Sequence, residues 1–513
     1  MTAATAVPVR HRTPGAASGV PLSAARLLRV ELRRNTMPWI LPLIAALFWF
    51  DSYRPSTGTS ALYGLRTYWS MGQGHTIIDF GPFVAGVAAW MGSRDGRRGL
   101  ADLVTATARP RWAAQLATWA ATAIWAVAAY LVFVGVMFAV YAHQGVGGTP
   151  PWWYVAVGAT GVIAFSAFGF AIGAFWPSRF AAPVAAFGGF LAMYLSFQIG
   201  FHHTSGWALI LPTNSSGNFD GSAQADSGTF YPWLPDLPIA RIMFLAGIAV
   251  AALGVTGLPA RAGGRRLRAA AAVLTLAGAA LAGTAVGLAS TAQESAYGVV
   301  IPTLHDAAND APITYTPVCG RSAGVQVCLN PAYGRWLPDM TAALAPVLTE
   351  VAGLPGAPVR ATQIAAAYPS GGDGPPQPIM FGGQPPVLRM QLGLLHMPGP
   401  CGFCVGPTTA QFADEMRLLF AHAFVGAGDS PGSPAQQAVQ AALLQGAGVP
   451  FAAQPGVIAI AENFPGPTPQ AATGPVYAAA RRLATWPAAA RHAWLAAHLA
   501  ALRADRLTLE ELP

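Results

Sequence analysis

Seven long apolar runs lie between Met37 and Ser290, separated by short polar stretches, whereas the residues on either side mix apolar and polar positions like water-soluble sequence. The runs cover 37–50, 77–92, 113–141, 153–175, 181–201, 239–258 and 269–290. Most approach or exceed the roughly 20 residues an α-helix needs to cross about 30 Å of hydrocarbon; the first two are short, so tilt or local thinning must cover the difference. The pattern predicts a disordered tail over 1–21, an all-α polytopic membrane domain over 22–290 with about seven helices, and a separate α+β domain over 291–513.

The first 36 residues hold no apolar core of signal-peptide type, so the amino terminus is expected to stay inside. Over 22–36, Leu22, Ala25, Leu28 and Leu32 share one helical face, with Arg26, Arg29 and Arg33 beside it. That is the pattern of an interfacial helix on anionic lipid, with a polar cytoplasmic helix as the alternative. Beyond 290, helices are predicted at 338–352, 409–425, 434–445 and 487–503, and strands at 313–318, 325–329, 359–366 and 387–394.

Composition agrees with burial in lipid. The 513 residues are 53% hydrophobic and 10% charged, where soluble proteins carry about 25% charged residues. All 29 basic residues are arginine. Without lysine the chain can form neither a GxxxxGK[ST] phosphate loop nor a Schiff base, so no cofactor is expected and any ATP use belongs to a partner. The net charge of +8 is read as topology rather than nucleic-acid binding.

Arg10, Arg12, Arg26, Arg29, Arg33 and Arg34 precede the first run; Arg94, Arg97, Arg98, Arg109 and Arg111 separate the second from the third. Arg179 follows the fourth, and Arg261, Arg265, Arg266 and Arg268 follow the sixth, while the alternate loops and their edges hold only Arg54, Arg66 and Arg241. Basic residues stay on the cytoplasmic side during insertion, so these loops are expected inside. An odd number of spans then delivers 291–513 outside, and the expected location is the cell membrane.

The most informative stretch is 93–117, SRDGRRGLADLVTATARPRWAAQLA, in which two arginine clusters bracket a short amphipathic element. It resembles the permease subunits of type-2 ABC exporters, whose second and third spans are joined by a basic stretch with a glycine, a leucine-rich turn and an R-x-R or P-x-R step. Gly99, Leu100, Leu103, Pro110 and Arg111 match that pattern, and with Arg94, Arg97 and Arg98 they make up the expected ATPase-coupling loop. The resemblance covers about 22–260 and implies an interfacial helix, six spans, a coupling loop gripped by a separate ABC ATPase, and pairing as a homo- or heterodimer. The seventh span and the tail depart from it. A membrane-anchored sensor or scaffold is the alternative function.

Asp79, His202 and His203 are the candidates for a translocation path, against the plainer reading of solvated interfacial groups. All four cysteines, Cys319, Cys328, Cys401 and Cys404, fall in the outer domain, and an oxidising exterior favours disulfides. Three pairings are possible; Cys319 with Cys328 and Cys401 with Cys404 is preferred, with zinc or CxxC redox chemistry as alternatives. Outer domains on some ABC permeases resemble gluzincin aminopeptidases. Here Asp414, Glu415 and His422 share a helix but form no HExxH, so a relative of that fold would have no catalysis, and the chain is not expected to be an enzyme.

Overall fold

The computed structural model describes residues 24–53, 80–99, 110–143, 147–202, 227–259, 264–295, 298–365, 378–395, 400–401, 404–405, 408–427, 432–455 and 474–513. Asp79, Leu100, Leu103, His203 and the expected tail over 1–21 lie outside these residues.

An amphipathic helix, α1 (Ala24–Arg34), leads into α2 (Met37–Tyr53). The other bundle helices are α3 (Phe80–Gly92), α4 (Arg111–His143), α5 (Trp152–Phe175), α6 (Ala181–His202), α7 (Asp236–Gly257) and α8 (Gly264–Ala289). Within the described residues, each expected apolar run is therefore largely helical. Among the described residues, four stretches are long and apolar enough to cross a membrane: Arg111–Val136, Trp152–Phe175, Asp236–Gly257 and Arg265–Ala289. Met37–Ala46, Phe80–Gly92 and Ala181–Leu195 form shorter apolar helices. Prolines mark several boundaries: Pro151 opens α5, Pro177 follows it, and Pro235 precedes α7. In hydrocarbon a helix satisfies every backbone donor within its own segment, which is why apolar content selects helix here despite many glycines.

Glycine contacts fix the relative directions of the helices. Gly169 and Gly173 of α5 lie directly on the backbone of Ala85 and Ala89 of α3, so the two run parallel. Gly81 faces Met193 and Gly86 faces Ala186, so α6 runs against α3. Trp119 donates to Ser166 at 3.0 Å and Tyr130 to the Val155 carbonyl at 3.4 Å, which makes α4 antiparallel to α5. Gly247 meets Gly278 and Ala282, and Gly254 meets Ala271 and Thr275, so α7 and α8 are antiparallel too. The helices alternate. One end of the bundle gathers Glu31, Arg94, Pro177 and Gly257; the other gathers Thr149, Trp233, Asp236 and Ala289. The α5 span is 56% buried and the α8 span 17%, which sets α5 at the centre and α8 at the edge.

After a short hairpin, β1 (Gln293–Ser295) with β2 (Gly298–Val300), the chain builds a five-stranded mixed sheet of order β3-β4-β5-β7-β6. Its strands are β3 (Val318–Ser322), β4 (Val325–Leu329), β5 (Arg360–Gln363), β6 (Ile379–Gly382) and β7 (Val387–Met390). The connection from β4 to β5 carries α9 (Leu337–Val351), which explains why these strands are parallel. Four more helices follow: α10 (Thr409–Val425), α11 (Pro434–Gly446), α12 (Pro475–Thr485) and α13 (Ala488–Arg503). Two of them begin at capping boxes, Thr408 with Gln411 and Ser433 with Gln436, so their starts are written into the sequence. Val327, Leu329, Ala361, Leu388 and Met390 form the buried sheet face, completed by Tyr333, Trp336, Phe412, Phe420 and Phe424.

Several expectations require correction. The strand expected at 313–318 does not form: Pro317 cannot donate to a ladder, and Tyr315 packs edge-on against Phe230 instead. The real edge strand is β3. The strand expected at 387–394 ends at Met390 and continues as a 3₁₀ turn, Leu392–Leu394. In α13 the buried stripe is Leu495, Leu499 and Leu502, while His498 is half-buried, stacks on Trp494 at 4.6 Å and shares a 2.9 Å hydrogen bond with its carbonyl oxygen.

Candidate functional site

The arginine-rich end of the bundle is held by a buried acid. Glu31 of α1 accepts two hydrogen bonds from Arg94, Nη1 to Oε2 and Nη2 to Oε1, both at 3.0 Å. This forked geometry matches a guanidinium to a carboxylate. Burial works against the Arg94 charge, but Glu31, aided by Asp95, holds its pKa above the ordinary value.

Neighbouring contacts fasten α1 to two helices at once. Asn35 accepts from the Met37 backbone N–H at 2.9 Å and donates to Thr122 of α4, also at 2.9 Å. Trp125 donates to the Leu32 carbonyl at 3.0 Å, and Thr36 reaches Met91 of α3. Arg97 lies 3.4 Å over the Trp90 ring and donates to its carbonyl, while Gly96 packs against Pro177.

The expected coupling residues thus divide. Arg94 and Arg97 turn inward as anchors, whereas Arg98 and Gly99 are exposed, and Gly99 takes a left-handed φ of 65° with open space around it. Pro110 and Arg111 are half-buried at the head of α4. Glu31 and Asn35 escaped the sequence analysis; the one signal was a lone carboxylate among the arginines of RLLRVELRR.

At the opposite end, loop backbone and the sheet domain interlock. Trp233 donates to the Thr149 carbonyl at 2.6 Å, the Thr149 backbone N–H donates to Gly228 at 2.7 Å, and Asn330 donates to the Thr229 carbonyl at 3.4 Å. The Ile313 N–H donates to the Phe230 carbonyl at 2.8 Å, and Gly147 lies close against Ala332. Beside them, Ile301 is fully buried among Ala240, Ala285 and Ala289, and Val299 packs on Leu237. Asp236, the first residue of α7, is also fully buried. The run expected to start at 239 left this carboxylate out.

Cys319 and Cys328 are register partners across β3 and β4 and are joined by a disulfide. The hairpin turns on Ala323 and Gly324, both with positive φ. Cys401 and Cys404 are backbone partners in the β8 (Pro400–Cys401) and β9 (Cys404–Val405) pair. His202 ends α6. Among the described residues no group of three His, Cys, Asp or Glu side chains could hold a metal ion.

Two G-x-S-x-G patterns occur in the sequence, and the one within the described residues does not build a nucleophile elbow, which needs a strand entering a helix. Gly320, Ser322 and Gly324 belong to the β3–β4 hairpin, where Ser322 is buried and donates to the Thr341 carbonyl at 2.6 Å. Gly428, Ser430 and Gly432 connect two helices, α10 and α11, and Ser430 lies outside the described residues.

No family model matches the chain, and neither a curated protein nor a solved structure matches it.

Proposed function

We propose that the chain is a permease subunit of the ABC-exporter type. In this reading α2 to α8 cross the membrane seven times, the arginine-rich end faces the cytoplasm, and 291–513 lies outside. A separate ATPase grips the 93–111 loop. Two permeases pair around a path for an amphiphilic or peptide-like substrate.

The observation that carries the reading is the forked Glu31–Arg94 pair, which joins the start of that loop to α1 and, through Asn35 and Trp125, to α4. A chain without its own nucleotide loop needs a cytoplasmic surface through which a motor can act, and a force on 93–99 would reach α1, α3 and α4 together. The rigid link matters because a slack loop would dissipate that displacement.

A second reading, a membrane-anchored sensor, is favoured by the way 313–332 seats on the loops at 147–149 and 228–230. It needs no ATPase. The test is co-purification of the full chain in mild detergent with the ATPase, identified by mass spectrometry. Leu103→Asp and Arg98→Glu together should abolish recovery of the ATPase while the sheet domain keeps its protease resistance. Unchanged recovery would refute the contact, and absence of any ATPase with the unaltered chain would favour the sensor.

A further inference from the structure

Asp236, His305 and Asp310 form a continuous chain of contacts from the head of α7 to the surface of the segment that follows α8. Asp236 Oδ2 accepts the Ile301 backbone N–H at 2.9 Å and lies 3.1 Å from His305 Nδ1. On the other side of the ring, His305 Nε2 lies 3.3 Å from Asp310 Oδ2, within hydrogen-bond reach. Exposure rises along the chain, with side-chain values of 0% for Asp236, 17% for His305 and 31% for Asp310. Asp236 Oδ1 is buried and has no hydrogen-bond partner among the described residues.

Both ring nitrogens of His305 therefore face carboxylate oxygens. A neutral imidazole has one N–H and one lone pair, so it can satisfy only one of two carboxylates and turns its lone pair on the other; the imidazolium donates to both. We infer that Asp236, His305 and Asp310 are a proton-operated latch, closed by the imidazolium and loosened by its deprotonation, that couples the segment after α8 to the head of α7.

Burial of the ring opposes its charge, but the hydrogen bond to Asp310 and the charge of Asp236 outweigh burial and raise the His305 pKa above the ordinary value. A raised histidine pKa gives stability that is complete below the unfolded-state value and is lost as pH rises through the folded-state one. The latch is closed on the acid side and opens with alkalinity.

Other ionisable groups on the elements packed here do not replace the histidine. Asp306 is exposed and accepts from the Ala308 N–H. Glu294 stands on β1 in register with Val299, and Arg241 is buried on α7 five residues beyond Asp236. Once His305 loses its proton, its single remaining N–H can serve Asp236 or Asp310 but not both, so one of the two contacts is lost and that segment detaches at lower cost. Which compartment the latch senses rests on the orientation proposed above; the latch itself does not.

The experiment is hydrogen exchange on the purified full chain in detergent from pH 5.5 to 9, corrected for intrinsic rates, reading peptides that cover 298–305. The unaltered chain should lose about tenfold in protection as pH rises, the factor expected from losing one charged hydrogen bond. His305→Gln should give the weaker protection at every pH, with no transition. Asp310→Asn, a milder change at a half-exposed position, should retain the transition and move it to lower pH. Protection independent of pH in the unaltered chain, or an unmoved transition in His305→Gln, would overturn the latch. Neither outcome bears on whether an ATPase binds the other end.

Discussion

The helical bundle and the sheet domain draw on similar apolar residues, but the bundle leaves many of the large ones exposed and the sheet domain does not. In the domain the largest side chains are inside: Trp336, Tyr333, Phe412 and Phe420 are all buried against the sheet and each other. In the bundle, helices meet through glycine and alanine as well as buried Phe80, Tyr130 and Phe170, while Phe187, Val132 and Leu276 stand 66%, 64% and 70% exposed. Water drives large apolar groups together, and hydrocarbon gives them no reason to leave its contact. Backbone approach through small residues then supplies the close packing. Exposed apolar side chains over helices of this length suit a bundle associated with a membrane.

That contrast can be broken in three places. Trp336→Ala opens a cavity in the water-driven core and should cost the domain about 3–5 kcal/mol, read as a fall in its unfolding temperature with the bundle's helical signal retained. Loss of the bundle at the same temperature would mean the two regions share one core. Gly169→Leu places a side chain against the Ala85 carbonyl and should force α5 from α3, at about 1–3 kcal/mol, with the domain's disulfide and protease resistance intact. Phe187→Ser should change thermal stability in detergent by less than about 0.5 kcal/mol, because its side chain is mostly outside the protein. A larger loss would place that face of α6 in a protein interface rather than in lipid.

The bundle was the legible part of this sequence, and its legibility has a physical source. Long runs nearly free of charge announce apolar helices directly, so among the described residues four helices long enough to cross a membrane and three shorter apolar ones lie where the sequence put them. The helices expected at 409–425 and 434–445 match α10 and α11, and the preferred pairing of Cys319 with Cys328 is the one that forms. Long-range pairing was not visible. Nothing local marks β6 as the partner of β7, and Tyr315 became a docking residue instead of a strand residue because Phe230 lies more than eighty positions away.

The candidate sites followed the same division. Arginine clusters were plain, but which arginines anchor and which remain free depended on Glu31, a carboxylate from another helix. Likewise Asp236 looked like a loop residue next to an apolar run. Only folding brings it to His305, 69 residues later in the chain.

Sidedness is the most direct test of the central claim, which is that the seven runs thread the membrane and separate the arginine-rich end from the sheet domain. An epitope fused after Pro513 and a second one inserted between Leu100 and Ala108 would be exposed to protease in intact and in permeabilised cells. The account predicts that the first is digested in intact cells and the second only after permeabilisation. Protection of the Pro513 tag in intact cells, or digestion of both epitopes there, would contradict it.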